Sequence, residues 1–101
     1  MGNRVSISFV NGKEESVSIF NHWDGMDFVN IAKNYAKELK REVGDDEVEP
    51  LDRLEPNTVM VDFIRYITKD MTRVSHNLYL GKDKNDGDNC NNGHHKISLT
   101  K

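Results

Sequence analysis

Across Asn21-His22-Trp23-Asp24-Gly25 the hydrophobic pattern switches from strand period to helix period, and this switch constrains the fold more than any other feature of the chain. Before it, Val5, Ile7 and Phe9 alternate with Ser6 and Ser8. Val17 and Ile19 likewise alternate with Ser16 and Ser18, the pattern of two half-buried strands. Asn11-Gly12 lies between them and predicts a hairpin. A strict two-residue turn there would pair Ile7 with Ser16 and put the two apolar sets on opposite faces. An odd-length loop or a bulge at Gly12 is therefore expected, with Gly12 supplying a positive φ.

After the switch, Phe28, Ile31, Ala32, Tyr35, Ala36, Leu39 and Val43 recur at helical spacing, and Gly44 stands where a helix ends. An acidic connector follows at 45–55, in which six carboxylates face only Arg53. Pro56 opens a second helix, where its missing N–H does no harm, and Met60, Phe63, Ile64, Ile67 and Met71 form its buried stripe. Beyond Asp70 the strand period returns in Val74, His76, Leu78 and Leu80, and a last short strand carries Ile97 and Leu99. The segment 81–94 between these strands is rich in Asn, Asp and Gly, and is expected to be a solvated, flexible loop that the fold can do without.

The order ββααββ predicts an α+β domain of two layers, with an antiparallel sheet from two hairpins and both helices on one face. A chain of 101 residues matches a single domain spanning 1–101, and a domain of that size buries roughly 65% of its unfolded surface, enough for one core.

The junction itself has structural work available. With Asp24 as N-cap, its carboxylate would accept from the N–H of Met26 or Asp27. Trp23 would then precede the cap and meet Phe28 in a hydrophobic staple, so the indole is expected to be buried. His22 has no such task, and an imidazole beside a carboxylate at a helix N-terminus can act as base, proton relay or ligand. His22, Trp23 and Asp24 are therefore the candidate functional residues, with His76 brought near by strand pairing. No catalytic residue is assigned, because no nucleophile or electrophile accompanies them.

His22-Trp23-Asp24-Gly25 between strand and helix, followed later by the aromatic strand Asn77-Leu78-Tyr79-Leu80, resembles a group of small uncharacterised prokaryotic and phage-borne proteins that carry a histidine-tryptophan-aspartate-glycine sequence at this place. The chain departs from that pattern at Met26, where an aromatic is usual, and in the polar insertion after Leu80. The resemblance implies a small intracellular domain and no particular activity.

Two metal readings are weighed in the polar loop. Read as a calcium loop from Asp83, it puts Gly87 fifth and His94 twelfth, where glycine belongs sixth and a bidentate glutamate twelfth, so the register fails. Cys90, His94 and His95 are zinc-type ligands, but a structural site needs four, and only His76 or Asp88 is at hand to complete it. No metal site and no cofactor is assigned.

Partner classes follow from charge. The net charge of −3 is opposite to a nucleic-acid footprint, and Lys33, Lys37, Lys40 and Arg41 on the first helix are interrupted by Glu38 and Glu42, which fits a solvated face. Met1-Gly2 with Ser6 has the spacing of a myristoylation signal, but Arg4 to Phe9 reads as strand. No apolar run is long enough to span a bilayer, no signal-peptide core is present, and Cys90 is the lone cysteine, so a cytoplasmic protein without membrane contact is expected. The preferred function is a non-enzymatic module that binds a protein partner. The alternative is a small hydrolase or metal-dependent enzyme centred on His22 and Asp24.

Overall fold

The computed structural model describes residues 2–44, 55–72 and 76–99, with side chains in the first helix as far as Leu39. Strand β1 (Val5–Asn11) turns through Gly12 and Lys13 into β2 (Glu14–Glu15), which continues as β3 (Ser18–Asn21). Helices α1 (Met26–Gly44) and α2 (Pro56–Thr68) follow, then β4 (Leu78–Gly81) and β5 (His94–Ser98). Apart from Glu55, the acidic connector lies outside the described residues.

The register problem of the first hairpin is solved away from the turn. Asn11 pairs with Glu14 around a two-residue turn, and Gly12 has the expected positive φ of 64°. Val10 then pairs with Glu15, yet Ile7 pairs with Ile19, so the returning strand carries one extra residue. The bulge falls at Ser16 and Val17, not at Gly12. Ser16 binds Phe9 twice, its N–H donating to the Phe9 carbonyl at 2.8 Å and its hydroxyl accepting the Phe9 N–H at 2.9 Å. The Val17 N–H is taken up by Asn57 Oδ1 in the first turn of α2. This places Ile7 and Ile19 on one face and leaves Glu15 on the other with Ser8.

Both helices cover the face of Val5, Ile7, Phe9 and Ile19, and a single cluster joins these residues to Phe28, Val29, Ala32, Tyr35 and Ala36 of α1 and to Val59, Met60 and Phe63 of α2. Phe63 is its centre, with ring centroids 5.3 Å from Phe9, 5.8 Å from Phe28 and 5.2 Å from Tyr35. The α+β class with helices on one face is thus as expected. The expected stripes hold at Phe28, Ala32, Tyr35, Ala36, Met60 and Phe63, with Leu39, Ile64 and Ile67 packed against them. Two positions differ: Val29 is buried where Ile31 was expected and Ile31 is exposed, while Met71 lies beyond α2 in solvent.

The second hairpin does not form. β3 is antiparallel to β1, and β4 is antiparallel to β3, so β4 runs parallel to β1; β5 also runs parallel to β1, on its other side. β4 and β5 therefore point the same way at opposite edges of a mixed sheet, and no turn can join them. The connection has to cross the sheet.

That crossing gives the polar segment its place. Residues 82–93 pass over the sheet face opposite the helices, so Ser6, Ser8, Ser18 and Phe20 on that face are fully buried rather than solvated. Phe20 stacks on Tyr79 with centroids 4.8 Å apart, and the backbone of Gly87 lies so close that a Cβ there would come within 2.7 Å of Tyr79 and 2.8 Å of Phe20. The Asp88 N–H donates to the Tyr79 hydroxyl at 2.8 Å. Within the segment, Asp86 accepts from the Lys82 N–H, Asp83 from the Asn85 N–H, and Asn89 Nδ2 donates to the Lys84 carbonyl. The Asn and Asp side chains thus satisfy the segment's own backbone, which is how so polar a stretch packs at all.

Candidate functional site

The junction between β3 and α1 is knit by two asparagines. Asn21 is buried, and its Oδ1 accepts from the N–H groups of Trp23 at 3.0 Å and Asp24 at 2.8 Å. Asn77, just before β4, accepts with Oδ1 from the N–H groups of His22 at 3.1 Å and Trp23 at 3.0 Å. The Nδ2 of each amide donates to Asp24 Oδ2, at 2.8 Å and 3.0 Å. The Asp24 carboxylate is thus turned onto the two amides and does not cap α1, whose first turn is closed by backbone bonds from Asp27 to Asp24 and from Phe28 to Gly25.

Gly25 is required twice over at this corner. Its φ is +56°, its N–H donates to the Asn3 carbonyl at 2.9 Å, and a Cβ would fall 2.2 Å from Asn3 Nδ2. Gly25→Ala is expected to cost about 1–3 kcal/mol from the left-handed conformation alone, with displacement of Asn3 in addition. Urea melts check this; an unchanged midpoint would mean the corner can open without loss.

The staple is absent. Trp23 is 58% exposed, and Phe28 packs against Phe63 instead. Met26, in the first turn of α1, is also exposed. The half-buried His22 ring lies 6.1 Å from the indole and 5.1 Å from the Tyr79 ring, so the surface at this end of the sheet is aromatic. His76 is an exposed turn residue ahead of β4. The structure brings His22, Trp23 and Asp24 together with Asn77 and Tyr79, while Asp24 bonds to the amides and not to His22.

The zinc-type residues separate. His94 and His95 are neighbours on β5 and project to opposite faces. His95 Nε2 lies 2.8 Å from the Asn92 carbonyl, and Cys90 is exposed. Among the described residues no group of three His, Cys, Asp or Glu comes together to hold a metal.

His94 belongs instead to a polar cluster on the buried sheet face. Its side chain is 7% exposed, with Nδ1 2.7 Å from Ser6 Oγ and Nε2 3.0 Å from Ser8 Oγ and 3.5 Å from Glu15 Oε2. Ser8 Oγ donates to Glu15, which holds that carboxyl below the usual carboxylate range, and Lys96 Nζ at 3.8 Å adds to the effect. Burial pushes the His94 imidazole below its ordinary value against the opposing pull of Glu15. Serine, histidine and carboxylate in contact resemble a hydrolytic set, but both hydroxyls are fully buried and no substrate carbonyl can reach them. The sequence did carry a signal for this cluster: the outward positions Ser6, Ser8 and Ser18 are serine, small hydroxyls suited to a covered face, where a solvated face would carry long charged residues.

A second polar group lines a cleft of about 160 Å³ between the helices, formed by Tyr35, Glu38, Leu39, Asp62, Arg65 and Tyr66. The Tyr35 hydroxyl donates to Asp62 and holds its carboxyl below the usual range, helped by Arg65 at 2.9 Å. On α1, Lys33 and Lys37 are exposed as expected, and the side chains of Lys40 and Arg41 lie outside the described residues. No described helix is long and apolar enough to cross a membrane.

No protein-family model matches the chain, and no solved structure matches it. Over an alignment of 76 residues that covers 70% of the chain, it is 36% identical to part of a protein of Caenorhabditis briggsae described as a regulator of telomere elongation helicase 1 homolog. The chain spans only 8% of that much longer relative.

Proposed function

We propose that this domain is a non-enzymatic binding module that presents Trp23, flanked by His22 and Met26, to a protein partner. The observation that carries the reading is the exposure of Trp23, at 58%, on a backbone pinned by Asn21 and Asn77. An indole held in solvent on a rigid support loses little entropy on binding, and tryptophan is the residue type most often found to dominate interface energies. The likeness to a short part of a far longer helicase homologue fits a module of this kind, one that serves as an accessory to larger machinery. The stretch His22 to Gly25, which carries the resemblance to the prokaryotic and phage-borne group, is here the contact surface.

Trp23→Ala tests this directly. Its effect on stability should stay below about 1 kcal/mol, since little area is released, with an unchanged denaturant slope. Binding should be lost by contrast: a partner recovered by wild-type protein from its host should be absent with the variant at equal fold. A loss of about 3–5 kcal/mol in stability would instead return Trp23 to a core role, and retention of every partner by the stable variant would remove this surface from consideration.

A further inference from the structure

The cluster on the covered sheet face has a single consistent direction of hydrogen bonding. Asn89 Nδ2 donates to Ser6 Oγ at 2.8 Å, and its amide orientation is set by a second donation to the Lys84 carbonyl at 3.1 Å. At the other end, Glu15 can only accept, so the Ser8 hydroxyl proton is committed to it. Ser8 Oγ is then left to accept from His94, which places the imidazole proton on Nε2. Nδ1 of the neutral ring is therefore an acceptor, and the Ser6 hydroxyl donates to it. The chain runs Asn89 to Ser6 to His94 to Ser8 to Glu15, and every member is satisfied only when His94 is neutral.

We infer that His94 is a pH-sensitive latch, which holds the crossover segment 82–93 against the sheet while neutral and releases it when protonated. A proton on Nδ1 would face Ser6 Oγ and take away the acceptor of the Ser6 hydroxyl, which is fully buried. Ser6 would then be shared between two donors, Nδ1 and Asn89, and Asn89 is the segment's side-chain tie to β1, beside the backbone bond from the Ser6 N–H to the Gly93 carbonyl. The charged groups facing the ring are Glu15 from β2, which favours the cation, and Lys84 of the segment and Lys96 of β5, which oppose it; β1 offers only the hydroxyls of Ser6 and Ser8. Burial outweighs Glu15, so the ring in the closed state titrates below its ordinary value of 6.5. A released ring titrates near that ordinary value. The latch is therefore fully engaged above it, weakens as pH falls below it, and is completely lost once pH passes below the closed-state value.

Amide exchange on the full chain between about pH 7.5 and 5 tests the latch, expressed as protection factors so that intrinsic rates cancel. Protection of the Asp88, Asn92 and Gly93 amides should fall by up to about tenfold per pH unit below the ordinary histidine value, and should stay below that of amides in the middle of α2, which a local release leaves closed. In His94→Gln the same amides should show no such slope. A wild-type segment whose protection is independent of pH, or an equal slope in His94→Gln from another histidine, would overturn the inference. If that variant does not fold, nitrogen NMR of the wild-type imidazole decides: an Nε2–H tautomer titrating below its ordinary value is expected. An Nδ1–H tautomer, or a value at or above the ordinary one, would refute the latch.

Discussion

Replacing Asp83 to Gly93 by a short turn should abolish cooperative folding. Gly81 ends β4 opposite Ser18, and His94 begins β5 opposite Ser6, three strand spacings away across β3 and β1. At about 4.8 Å per spacing and about 3.3 Å per residue along the strands, the two ends are roughly 15 Å apart, beyond the reach of a two-residue turn. The deletion would also uncover Phe20 and the buried serines. Circular dichroism and the dispersion of an NMR spectrum are the readouts, and a native-like spectrum would mean that β5 can leave β1. Substitution of the same segment by a Gly/Ser stretch of equal length separates span from cover. That variant can close the sheet, and its remaining loss of stability measures what the Asx turns and the packing of Gly87 contribute.

Phe20→Ala should cost about 3–5 kcal/mol, a large share of the 5–15 kcal/mol typical of a domain. Phe20 is fully buried between Tyr79 and the backbone of Gly81 and Gly87, away from the helix-side core. Its neighbours are glycines and a stacked ring, so few side chains are free to move into the gap. Urea denaturation with an unchanged slope is the check, and a loss below about 1 kcal/mol would show the segment settling into the cavity. Comparison with Phe63→Ala, at the centre of the helix-side cluster, should give losses of similar size and so establish that the sheet is packed on both faces.

The sequence by itself determined what depends on near neighbours along the chain. The alternation around Ile7 and Ile19 specified strands, the spacing from Phe28 to Leu39 specified α1, Pro56 marked the start of α2, and Gly12 supplied the positive φ of the turn. These follow because periodicity and backbone preference act over a few residues. Tertiary structure alone decided the rest. Periodicity says which side chains share a face but not which strand lies alongside, so β5 beside β1, parallel and at the far edge from β4, was not legible. Asn, Asp and Gly have the same composition whether they bind water or one another, and only the crossover made 82–93 a covering layer. Trp23 had the spacing of a staple, but the amides of Asn21 and Asn77, 56 positions apart in sequence, took the backbone and carboxylate that the cap required and left the indole in solvent. His94 acquired its role in the same way, because Ser6, Ser8, Glu15 and Asn89 meet it only after the sheet closes, and the direction of their hydrogen bonds is a property of that meeting.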